Sequence, residues 1–152
     1  HPHFLLPIAA RAGLVQKVFE YLDLPDMEIS TDIITHAIHG YQDSLARQLL
    51  WIVFEYDDST SPYRYNWVTI MHAAAYRGNK EFVDWILEKC PGEMADLRRK
   101  REVLQQGLIS ACGGGFPQLV KFLIDKGPVP DHQCRVYAKD PRVIAILDAH
   151  VA

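Results

Sequence analysis

Two histidines, His36 and His39, stand three residues apart in TDIITHAIHG (31–40). On a helix that spacing puts both imidazoles on one face, as a pair of nitrogen ligands to a metal would require. No third ligand suggests itself beside them, so the pair reads as two partly exposed surface histidines. The opening HPH (1–3) offers two more imidazoles. Pro2 lacks the N–H that a tight amino-terminal copper site uses, which leaves at most a weak metal site. The cysteines, Cys90, Cys112 and Cys134, are 22 residues apart each time, too wide for a local zinc motif. An odd number of cysteines fits a reducing compartment better than a disulfide framework. No Ser/His/Asp or Cys/His grouping for nucleophilic catalysis emerges, and no cofactor is expected.

Three further stretches invite chemistry and lose it on inspection. ACGGGF (111–116) resembles a phosphate-binding loop, but such a loop needs its glycines at a helix start after a strand. Here they fall at a predicted helix end and read as punctuation, with Gly113 and Gly114 each weakening a helix by roughly 1 kcal/mol relative to Ala. EYDDSTS (55–61) is acidic without the ligand spacing of a calcium loop. RRKR (98–101) has the composition of a nuclear-import patch. Flanked by Asp96 and Glu102, it reads better as the solvated face of a helix.

Composition narrows the classes. The chain has 152 residues, enough for one domain with a sizeable core. The net charge of −3 argues against a nucleic-acid binder. The longest apolar run, LLWIVF (49–54), is far too short to span a membrane. The first residue, His1, suggests a fragment or a processed product. There is no Asn-x-Ser/Thr acceptor to hint at secretion.

The organisation lies in repetition. In TIMHAAAYRGNKEFVDWIL (69–87), Thr69 can cap a helix, with His72 closing a reciprocal bond back to it. Ala73, Ala74 and Ala75 keep that helix slim. Gly78 supplies the left-handed residue that ends it. Phe82, Val83, Ile86 and Leu87 then form the apolar stripe of a second helix. One such pair cannot bury its stripe alone. Similar pairs occur around Ala9-Ala10 and Gly13, Ala37 and Gly40, and Ala111-Cys112 and Gly115, each glycine three residues after the last small residue. Cys112 takes a small-residue position and is expected to be buried. Asp140 and Pro141 start a further helix well.

The stretch at 69–87 resembles the ankyrin repeat signature, Thr-Pro-Leu-His-x-Ala-Ala-x-x-Gly before a Val/Leu-rich helix. The other three stretches resemble degenerate copies, and the resemblance covers roughly residues 4–125. The glycines Gly13, Gly40, Gly78 and Gly115 are spaced 27, 38 and 37 apart, against a family period of about 33. Pro7 stands where the family has His, and Gln106-Gly107 is a poor helix start.

The resemblance implies an all-α ankyrin-repeat solenoid. Repeats are expected at about 4–30, 31–68, 69–105 and 106–137, with a capping helix, or a degenerate fifth repeat, at 140–150. It also implies a concave surface made of the residues just before each glycine and just before each Thr. Carried over by position, these are Tyr65, Asn66, Val68, Tyr76 and Arg77 in the third repeat, and Ser30, Ile38 and His39 in the second. The first repeat offers His3, Arg11 and Ala12, and the fourth offers Gln105, Gly113 and Gly114. The loop 56–67 adds Tyr56, Tyr63 and Trp67, with Asp57 and Asp58 to meet a basic partner. The expectation is a non-catalytic protein-interaction module inside the cell, cytoplasmic or nuclear. It would bind another protein or its own copy, and neither nucleic acid nor membrane. A structural spacer, a pathogen effector domain binding a host protein, and a small metal enzyme built on His36, His39 and the cysteines are the alternatives.

Overall fold

The computed structural model describes residues 2–56, 65–89 and 97–150. Among these every regular element is a helix and there is no strand, as an all-α chain requires. The chain divides into two compact units, His1–Ile70 and Met71–Ala152. The first holds α1 (Pro2–Ala12), α2 (Val15–Leu22), α3 (Thr31–His39), α4 (Asp43–Tyr56) and the start of α5 (Trp67–Tyr76). The second holds the rest of α5 with α6 (Lys80–Lys89), α7 (Leu97–Gly114), α8 (Pro117–Asp125), α9 (His132–Tyr137) and α10 (Pro141–Ala149).

The first four helix pairs are joined by the same turn. The N–H groups of Leu14, Gln42, Asn79 and Phe116 donate to the carbonyls of Ala9, Ala37, Ala74 and Ala111 at 2.8–3.3 Å. Gly13, Tyr41, Gly78 and Gly115 donate inside that bond to the residue after each alanine. This double closure is a Schellman motif, which needs its penultimate residue left-handed. Those residues have φ of 75°, 62°, 74° and 78°.

Gly40, expected as the left-handed residue of the second pair, has φ of −83°, and Tyr41 takes that place. The register of the second pair is therefore one residue later than its glycine suggests. The turns fall 28, 37 and 37 residues apart. Gly40 is needed for a different reason: a Cβ there would strike the carbonyl oxygen of Arg11. Gly114, also one residue before a left-handed position, meets the carbonyl oxygen of Tyr76 in the same way, 2.6 Å from a would-be Cβ.

Helix starts are set by short polar side chains. Ser30, Asn66, Asn79, Asp131 and Asp140 accept a backbone N–H two or three residues on, at 2.8–3.2 Å. Thr69, expected as a cap, lies inside the first turn of α5, because Asn66 caps that helix and Trp67 begins it. Gln106-Gly107 is not a helix start either, since α7 runs unbroken from Leu97. Gly107 is buried beside Met71, whose Cγ would lie 3.1 Å from an added Cβ. Pro7 falls in the interior of α1, where its missing N–H costs one helical bond.

Within the first unit α1 packs on α2 and α3, and α3 on α4. Leu6, Ala9 and Ala10 of α1 and Ile34, Ala37 and Ile38 of α3 are buried. In the second unit α7 packs on α8 and α9, and α8 on α10. Ala73, Ala74 and Ala75 are fully buried, so the slimness of α5 is used for close packing. After α8 the chain forms a short fifth pair, α9 and α10, rather than one terminal helix. Asp140 caps α10 with Pro141 in its first turn, as the sequence suggests.

Candidate functional site

The predicted contact residues separate into buried and accessible groups. Tyr65 and Trp67 are only 7% and 6% exposed, with ring centroids 6.2 Å apart. They close over the start of α5, where an apolar residue before the cap commonly staples the helix. Their burial removes both from a contact surface. Ile38, at 2% exposure, is a core residue for a related reason. The one-residue shift at Tyr41 moves it to the position held by Ala10, Ala75 and Cys112, all buried.

Asn66 is exposed, but its side chain is committed to capping α5 and its N–H donates to Thr31 Oγ1 at 3.0 Å. Val68, His39 and Arg77 are half-buried. Arg11 is exposed. Residues 57–64, with Tyr63, Asp57 and Asp58, lie outside the described residues, as does Cys90.

His36 does not pair with His39 for a metal. Its Nδ1 accepts from Arg11 Nε at 3.1 Å, and its Nε2 faces Asp32 Oδ1 at 3.4 Å. Asp32, one helical turn earlier, is the neighbour that spacing should have revealed. Among the described residues no group of three or more His, Cys, Asp or Glu could hold a metal ion. Cys112 and Cys134 are buried against each other. Their hydrogen bond, together with burial, pushes the Cys112 thiol up.

The second unit carries an open groove of about 660 Å³ along α5, α7 and α9. Its wall is a hydrogen-bonded chain. Gln106 Nε2 donates to Ser110 Oγ at 2.9 Å, and Ser110 Oγ lies 2.7 Å from His72 Nδ1. With its oxygen accepting from Gln106, the Ser110 hydroxyl proton is free to point at Nδ1. In the tautomer protonated on Nε2, Ser110 donates to Nδ1 and the His72 Nε2–H is left as a donor. Ser110 is buried while His72 is exposed, so a buried anchor orients an accessible ring.

The groove floor is Gly113, the position equivalent to Tyr76 and Arg11 in the other pairs. A methyl on Gly113 would lie 3.5 Å from Tyr137 Cβ and 3.9 Å from Tyr76 Cε2. Two tyrosines, 46% and 54% exposed, thus border one bare helix position. Among the described residues Lys139 is the one permanent cation lining the groove, and none of them that lines it is a carboxylate.

Tyr76 and Gly113 were legible from their place before the turn. Ser110 and Gln106 were not, since a serine and a glutamine one helical turn apart carry no distinctive signal. Tyr137 and Lys139 belong to a pair that repeat spacing alone did not mark out. No helix among the described residues is long and apolar enough to cross a membrane. Comparison of the chain with family models, with curated proteins and with solved structures finds no match.

Proposed function

We propose that the chain is a non-catalytic protein-interaction module, built as a series of ankyrin-like helix pairs. The groove between Tyr76 and Tyr137 would be a partner site. The observation that carries this is the bare floor at Gly113 between two exposed tyrosines, beside a histidine held by a buried serine. Aromatic side chains that keep polar tips in water are the residue types that anchor protein contacts. The polar groups around them are placed to donate: the His72 ring, the Lys139 ammonium and the tyrosine hydroxyls. A preformed groove on helices also costs little ordering on binding.

The repeated Schellman turns and the buried alanines at fixed offsets from them support the ankyrin-like reading. Ser110 meets His72 in the groove, but among the described lining residues there is no carboxylate to orient that ring, as catalysis by a triad would need. The test compares affinity capture by wild type and by a Tyr76→Ala/Tyr137→Ala variant, both shown folded by circular dichroism. A partner held by wild type and released by the variant is the expected result. Equal capture by both would remove the groove as the site.

A further inference from the structure

A second surface of the same unit carries more positive charge than the aromatic groove, where Lys139 is the one permanent cation among the described residues. Four consecutive cations, Arg98 to Arg101, occupy the first turns of α7. This is the end of a helix where the backbone dipole disfavours positive charge, and there is no acid in the first turn. Lys100 and Arg101 form no ion pair among the described residues, and both are exposed. They border a cleft of about 680 Å³ between α7 and the segment after α8.

Across this cleft stands Lys126, whose Nζ lies 3.8 Å from Asp84 and 5.0 Å from the centroid of the Phe122 ring. Leu104, Pro128 and Val129 give the cleft an apolar lining, and Val129 is 73% exposed. Gln105 Nε2 donates to the Val129 carbonyl at 3.2 Å and holds that segment in place. The acid in the lining, Glu102, is 3.8 Å from Arg98.

We propose that this cleft is a second interaction surface, which takes an acidic peptide segment carrying an apolar side chain. Carboxylates would answer Lys100, Arg101 and Lys126, and the apolar side chain would cover Val129 and Leu104. A long polyanion fits less well. It would run over a chain of net charge −3, and its phosphates have no use for an apolar lining. A short acidic segment senses only charges within about 8 Å at physiological ionic strength. A cleft of this size is in the range that holds a few residues of peptide. The proposal is independent of the groove.

The probe is a fluorescein-labelled peptide of glutamates around a central leucine, read by fluorescence anisotropy against the whole chain. A copy with glutamine in place of glutamate is the control. Lys100→Glu/Arg101→Glu is expected to weaken binding about tenfold or more, and Val129→Asp several-fold. Tyr137→Ala, in the groove, is expected to leave binding unchanged, which separates failure of this surface from failure of the other. Amide shifts in a titration followed by NMR should cluster at Lys100, Arg101, Gln105 and Val129. The proposal is overturned if the glutamine peptide binds as well, or if both charge reversal and Val129→Asp leave affinity untouched. It is also overturned if no binding is seen below about 1 mM. Tighter binding of a DNA duplex or phosphatidylserine vesicles, indifferent to Val129→Asp, would replace it with a polyanion surface.

Discussion

Ser110 Oγ sits 2.7 Å from His72 Nδ1, so a buried hydroxyl on α7 decides which way an exposed imidazole on α5 faces. The same oxygen accepts from Gln106. Ser110→Ala should cost about 1 kcal/mol in urea denaturation, the usual net worth of such a bond. It should also weaken partner capture through the groove, because the His72 donor loses its orientation. Unchanged capture would show that His72 needs no such support.

Gly113→Ala separates stability from binding. The added methyl meets only ordinary contacts, at 3.5 Å and 3.9 Å. Replacing a helical glycine by alanine should therefore stabilise the chain by about 0.5–1 kcal/mol. The same methyl raises the groove floor. Higher thermal stability with weaker capture is expected, and stronger capture would place the partner elsewhere.

The second turn offers a paired test. Tyr41 holds a left-handed conformation that costs a non-glycine residue about 1 kcal/mol, so Tyr41→Gly should stabilise the first unit by about that amount. Gly40→Ala should destabilise by about 1–3 kcal/mol, because the methyl meets the fixed backbone of Arg11. Were Gly40 the left-handed residue instead, Tyr41→Gly would bring no gain. Chemical denaturation of both variants decides it.

Ala74→Glu places a carboxylate where the alanine is fully buried. An uncompensated buried charge costs about 3–5 kcal/mol, enough to unfold the α5–α6 pair. Circular dichroism should show lost helix. A folded Ala74→Glu protein would count against the stacked-pair reading.

Asp140 gives acid sensitivity to the last helix. The hydrogen bonds of the Arg142 side chain and of the Arg142 N–H hold its carboxyl below the ordinary value near 3.8. A depressed carboxyl stabilises the fold above its ordinary pKa, and that contribution disappears as pH falls through the lowered one. Urea stability measured from about pH 5 to about pH 2 should fall in wild type toward that of Asp140→Asn, which starts lower and changes less across the window. The asparagine still caps but no longer titrates.

The helix pairs were legible because alanine and glycine at fixed offsets report close packing and a left-handed turn together. Gly13 and Gly78 satisfy both demands at one position and Gly114-Gly115 at two adjacent ones, and there the spacing gave the right register. At Gly40 the demands part. The glycine answers the Arg11 carbonyl while Tyr41 takes the turn, and nothing in the letters alone distinguishes the two duties. That single shift is what put Ile38 on the predicted surface. Thr69 misled for a similar reason: it looks like a cap, but Asn66 three residues earlier captures its N–H. The groove was half visible. Tyr76 and Gly113 follow from the turn, whereas the bond between Ser110 and His72 joins residues 38 apart and exists only once the helices pack.

Gly40 and Gly114 carry a genetic consequence. Every amino acid except glycine has a Cβ, so any base change that alters either residue pushes an atom at a neighbouring carbonyl, that of Arg11 or of Tyr76. Drift at these two codons should be confined to the silent third base. In a sample of naturally occurring alleles, the codons for Gly40 and Gly114 should show synonymous variation alone.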